Sequence, residues 1–129
     1  MAELRFPEGF EWSTATAAHQ IEGGNVNNDW WAFEHTPGSG CVESSGDACD
    51  SWNRWPEDVA VLAELGFTGY RFSIEWSRIE PAKGEWSLAA LDHYRRQCEA
   101  LLDAGVDPTV TLHHFTSPQW AAAFSACRR

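Results

Sequence analysis

Basic residues are scarce in this 129-residue sequence: nine Lys and Arg stand against nineteen Asp and Glu, giving a net charge of −10. The few cations form no stripe or cluster, so no nucleic-acid partner is expected. Long apolar runs are missing as well. Nothing approaches the roughly 20 residues of a membrane span, and Met1 is followed by AELRFPEG, which lacks a basic and apolar leader. A cytoplasmic protein with no membrane association is therefore expected. Cysteine is limited to four residues. Without a secretory signal these read as reduced thiols, and Cys41 and Cys49 with His35 lack the spacing of a zinc site, so no metal is expected.

Apolar and aromatic residues are well represented. At 43% hydrophobic and 13% aromatic, the chain can build the core of one ordinary domain. Its eight Trp exceed what packing usually draws on. Trp is a favoured platform for sugar rings and interfaces, although packing is its commonest task.

Residues 10–15 read as a first strand after the turn at Pro7 to Gly9, and residues 17–55, rich in Asn, Gly and Ser, as a long loop. A helix is expected over 56–65, with Pro56 at its first position, acids in its first turn and Gly66 as its stop. Val59, Leu62 and Ala63 would face the sheet. A second strand over 69–76 follows at once. The second helix spans 88–104, with Ser87 as N-cap, a stripe of Leu91, Tyr94, Cys98, Leu101 and Leu102, and Gly105 as its end. A third strand spans 108–114, and a third helix opens from 118. No repeat interrupts this order.

The stretch GYRFSIEWSRIEP at 69–81 organises the rest. Tyr70, Phe72, Ile74 and Trp76 alternate with Arg71, Ser73 and Glu75, so a strand here has an apolar face and a polar face. A helix on each side leaves no room for a hairpin, which points to parallel strands covered by helices. The polar face then looks inward, where an Arg needs a carboxylate or phosphate partner.

YRFSIEWSRIEP at 70–81 resembles the second-strand motif of glycoside hydrolase family 1, the β-glucosidase family of retaining glycosidases. FPEGFEWSTATAAHQIEGG at 6–24 resembles its N-terminal motif, and TLHHFTSPQW at 111–120 its third-strand motif. The order and spacing also fit, and the likeness runs to about Ala123. It implies an α/β fold built as the first three βα units of a (β/α)8 TIM barrel. A whole barrel typically needs about 250 residues. After Ala123 the SACRR end departs from the family pattern, from which a truncated or frame-shifted gene product is expected.

The resemblance implies hydrolysis of β-linked glucosides or galactosides by double displacement, with no cofactor. That mechanism needs two carboxyl groups about 5 to 5.5 Å apart. The family places them in Thr-x-Asn-Glu-Pro and Glu-Asn-Gly motifs, yet no Asn here precedes Glu and no Glu precedes Asn. No catalytic residue is therefore assigned, and the chain alone is expected to be inactive. What the resemblance carries over is a sugar-binding rim: Gln20 and His114 on the sugar hydroxyls, Arg71 supporting the nucleophilic carboxylate, and Phe115 as a subsite aromatic packed beneath the sugar.

Taken without the motif, each of these has a plainer role. Gln20 is then a loop amide satisfying its own backbone, His114 a structural strand-end histidine beside His113, and Arg71 a partner for Glu75 on the same face. Glu75 is expected in a salt bridge or at the mouth of the site, not as a catalytic acid. Trp30, Trp31 and Trp120 are loop aromatics for which packing is expected before sugar contact. Two alternatives from other classes are a non-catalytic sugar-binding remnant and a half-barrel that assembles with another chain.

Overall fold

Each strand hands over to helical segments, and the three strands lie parallel in the order β1-β2-β3. The computed structural model describes residues 4–125. β1 is Ser13–Ala15, followed by the short helices α1 (Ala18–Ile21) and α2 (Asp29–Glu34) and the long helix α3 (Ser51–Glu64). β2 is Gly69–Ser73, followed by α4 (Trp76–Ile79) and α5 (Leu88–Asp103); β3 is Asp107–Thr111, followed by α6 (Gln119–Ser125). Pairing runs from Ser13 opposite Gly69 and from Gly69 opposite Asp107. Because the strands are parallel, their C-terminal ends share one edge, and the loops after them cluster there.

β2 is the central strand, and its alternation sorts the two faces of the sheet. Tyr70 and Phe72 join Val59 and Leu62 of α3, Tyr94 and Leu101 of α5, and Val106 in one core. Leu101 is fully buried. Burying such a side chain contributes about 1.5 to 3 kcal/mol, and truncating it to Ala costs about 2 to 5 kcal/mol. Arg71 and Ser73 point to the opposite face, as the period of two requires.

Several element limits differ from those expected. α3 starts at Ser51, so Pro56 lies inside the helix and not at its first position. The first turn forms ahead of it because Trp52 and Trp55 pack against the core and the Asp50 carbonyl receives the Asn53 and Arg54 N–H groups. Packing here overrides the preference for Pro at a helix start. Residues 17–55 contain α1 and α2 in addition to the start of α3, so they are not one loop. Ala63 is exposed. The buried face of α5 is Ala90, Tyr94, Gln97 and Leu101, while Leu91 and Leu102 are exposed. The helix is turned so that the Tyr94 hydroxyl reaches through the core to Glu22 and to the Glu75 backbone N–H.

The strands are also shorter than expected. β1 omits residues 10–12, where Phe10 and Trp12 cluster with Phe6 at ring distances of 4.5 to 5.0 Å. β2 ends at Ser73 because Glu75 caps α4, its carboxylate accepting the Ser77 N–H. β3 ends at Thr111, and α6 begins at Gln119 where a start from 118 was expected. The Ser87 cap of α5 is present: its hydroxyl accepts the Ala90 N–H. The last residues of the expected third helix, 126–129, lie outside the described residues.

Candidate active site

The polar side chains of interest gather at the C-terminal edge of the sheet. Arg71, on β2, donates from Nη1 to the Thr16 carbonyl at 3.3 Å and to His114 Nδ1 at 2.8 Å. A guanidinium cannot accept, so His114 Nδ1 must, and its proton sits on Nε2. The Nε2–H is left available as a donor. Arg71 does not pair with Glu75, and among the described residues no carboxylate forms an ion pair with it. His113 is exposed and bonds Ser117 Oγ at 3.1 Å.

Gln20 lies on α1 with its side chain exposed, and it lines a cavity of about 280 Å³ together with His19, Trp30, Glu34, Ser45, Phe115 and Thr116. Gln20 and Phe115 therefore share one cavity, whereas His114 joins it only through its neighbour. Phe115 is 59% exposed and has φ of +68°, a left-handed conformation that costs a bulky residue about 1 to 3 kcal/mol. The Thr116 N–H bonds the His114 carbonyl across it at 2.9 Å, which makes residues 114–116 a γ-turn. Phe115 is exposed, its ring centroid 4.2 Å from that of His114.

The cavity wall is built from residues that sequence patterns did not single out. Buried His19 donates from Nε2 to Glu34 Oε1 at 2.9 Å, and its Nδ1 accepts from Asn28 Nδ2 at 3.0 Å. The other Glu34 oxygen accepts from the Ser45 N–H and hydroxyl. Burial pushes the Glu34 carboxyl up, but the bonds from Ser45 and His19 outweigh it and leave it below 4.5. Asn28 also caps α2, accepting the Trp31 N–H at 2.8 Å. An Asn-Asp pair ahead of two Trp is a helix-start signal that could have revealed α2 and its cap.

Glu75 is fully buried and takes neither role expected of it. Oε1 accepts from the Ser77 N–H and hydroxyl, and Oε2 accepts from Asn28 Nδ2 at 3.2 Å and Thr116 Oγ1 at 2.9 Å. A second buried cluster adjoins it. Glu22 receives the Tyr94 hydroxyl at 2.6 Å and Asn25 Nδ2 at 3.1 Å, with Arg78 at 3.3 Å. Arg78 also lies 4.0 Å over the Trp52 ring. Gly23, at φ +79°, abuts the Asp47 backbone so closely that any Cβ would collide with it. Among the loop aromatics, Trp30 lines the cavity, Trp31 stacks on His35 at 4.4 Å, and Trp120 bonds the Glu80 carbonyl and packs edge-on to Trp76.

Among the described residues, no group of three or more His, Cys, Asp or Glu is placed to hold a metal ion, and no helix is long and apolar enough to cross a membrane. Cys41, Cys49 and Cys98 are free thiols.

Arg71 on β2, bonded to His114 beyond β3, and the Gln20 amide over its cavity thus gather at the C-terminal edge of parallel strands, the place where α/β folds bind their ligands. The particular family is settled by comparison: the model of glycosyl hydrolase family 1 matches residues 2–123, and the chain belongs to that family. It is 44% identical over 121 residues to Beta-glucosidase A of Thermotoga maritima, covering 88% of this chain and 27% of that protein. Beta-glucosidase 6 of Oryza sativa subsp. japonica is also 44% identical over 121 residues, with 23% of its length covered. Among solved structures, beta-glycosidase BGL167 superimposes with a TM-score of 0.86 at 57% identity, over 89% of this chain and 28% of that one. The family 1 b-glucosidase from Thermotoga maritima gives 0.88 at 40% identity, over 93% and 29%. The chain thus spans about a quarter of the length of the relatives it matches.

Proposed function

We propose that this chain is the N-terminal part of a retaining β-glycosidase that hydrolyses the O-glycosidic bond of β-linked glucosides or galactosides. Its elements would be the first three βα units of a (β/α)8 barrel, with the substrate at the C-terminal strand ends. The observation that carries this reading is the Arg71–His114 pair. Arg71 is half-buried on the inward face of β2 with a histidine acceptor but no carboxylate among the described residues. A nucleophilic carboxylate from a later strand would complete it, held ionised by the guanidinium charge. His114 Nε2–H and the Gln20 amide would bind sugar hydroxyls, Gln20 both donating and accepting.

Neither catalytic carboxylate is assigned to this chain. Glu75 is sealed behind four donors, and the two family Glu motifs are absent from the sequence. The test is direct: the purified chain, cleared of host glycosidases, should not hydrolyse an aryl β-glucoside above background. Turnover that disappears in Glu75→Gln would overturn the assignment of the carboxylates to another part of the barrel.

A further inference from the structure

We propose that Glu75 is a positioning residue: its Oε2, shared by Asn28 and Thr116, sets the separation of the two walls of the cavity that Gln20 and Phe115 line. The inference rests on the sugar-site reading above, and it concerns a residue to which the strand pattern gives no such part.

Residues 114–116 form a strained turn. Phe115 is held at φ +68° while the residue is 59% exposed, so its own packing does not compensate for the strain. The next residue, Thr116, is 4% exposed and anchored by its hydroxyl on Glu75 Oε2 at 2.9 Å. That bond fixes the end of the turn and so the direction in which Phe115 and His114 point. The same oxygen accepts from Asn28 Nδ2 at 3.2 Å, and the second hydrogen of that amide goes to His19 Nδ1 at 3.0 Å. His19 is adjacent to Gln20 and forms the opposite wall with Glu34. One buried oxygen therefore joins the loops after β1 and after β3, while Oε1 holds the loop after β2 through Ser77. A carboxylate suits the place because each of its oxygens can accept two hydrogen bonds.

The test joins residues 1–123 of this chain to the portion of Thermotoga maritima Beta-glucosidase A that it does not cover, hereafter the completed enzyme. Glu75→Met removes both acceptors at similar volume, and Thr116→Val removes one hydroxyl at constant shape. Each should lower kcat/KM on an aryl β-glucoside by about tenfold or more, the scale of a small misplacement in a site. The double variant should lose no more than Glu75→Met alone, since the two act through one bond. Glu75→Gln can keep an oxygen toward Asn28 and Thr116 while its amide donates to the Ser77 hydroxyl; it gives up the Ser77 N–H bond, which caps α4 and joins neither cavity wall, so it should retain most of the activity and lose some thermal stability. A purely structural role would instead track thermal stability and show no such rescue.

Should Glu75→Met fail to fold, Thr116→Val carries the test. An active completed enzyme in which folded Glu75→Met or Thr116→Val matches the parent overturns the positioning role alone. An inactive completed enzyme counts against the sugar-site reading, and crystal structures of the parent and Thr116→Val then decide the inference. Phe115 should leave its left-handed turn in the variant, and an unchanged turn overturns the proposal.

Discussion

Arg71 on β2 and His114 just beyond β3 are joined by a 2.8 Å hydrogen bond that settles which imidazole nitrogen carries the proton. The bond also separates the two neighbouring histidines. His114 turns inward to the arginine, while His113 is exposed against Ser117.

In the completed enzyme, His114→Ala is expected to cost about 1 to 3 kcal/mol of transition-state stabilisation, read from kcat/KM, because it deletes a donor and leaves a half-buried arginine bond unmade. His113→Ala should stay near the parent. The reverse order would mean that the inward face of the segment after β3 is misassigned by one residue.

The histidine assignment shows what sequence makes legible. Period-two alternation placed Arg71 opposite the Tyr70 and Phe72 face, and the parallel order followed from helices with no room for hairpins. The Glu75 pairing that Arg71 has when read without the motif assumed that β2 runs to residue 76, and its His114 acceptor, 43 positions away, has no local signal. The strand stops at Ser73, and Glu75 turns away as the cap of α4. The bonds of Asn28 and Thr116 to Glu75 and of His19 to Glu34 stayed hidden because they join residues 15 to 47 positions apart, and no local period encodes these. The rotation of α5 has the same cause, since Tyr94 is aimed by Glu22, 72 positions away.

Stability should carry a pH signature from Glu22. Burial pushes its carboxyl above 4.5, outweighing the bonds from Tyr94 and Asn25 and the Arg78 charge. The folded state then holds this proton more tightly than the unfolded chain does. Its contribution is therefore present below 4.5 and is lost as pH rises through the raised value. Urea unfolding of the completed enzyme at stepped pH should show a decline from pH 4.5 upward that Glu22→Gln flattens. An identical slope in parent and variant would contradict this.

The chain by itself should associate. β1 and β3 are the outer strands of the sheet, and Val110, Leu112 and Phe115 are exposed on and beyond β3. Unpaired strand edges beside apolar side chains favour pairing between copies. Sedimentation velocity at rising concentration should show growing species. A monomer with sharp near-UV Trp signals and one cooperative thermal transition would show instead that this segment is a domain in its own right.

The central claim is that this segment supplies the sugar-binding rim of a β-glycosidase and that the rest of the barrel supplies its carboxylates. Steady-state hydrolysis of an aryl β-glucoside by the completed enzyme, with and without Gln20→Ala, tests it most directly. The completed enzyme should turn over, and removing the Gln20 amide should cost about 1 to 3 kcal/mol in kcat/KM. Equal kcat/KM for the parent and Gln20→Ala would contradict it, because the residue carrying the proposed sugar contact would then contribute nothing to the transition state.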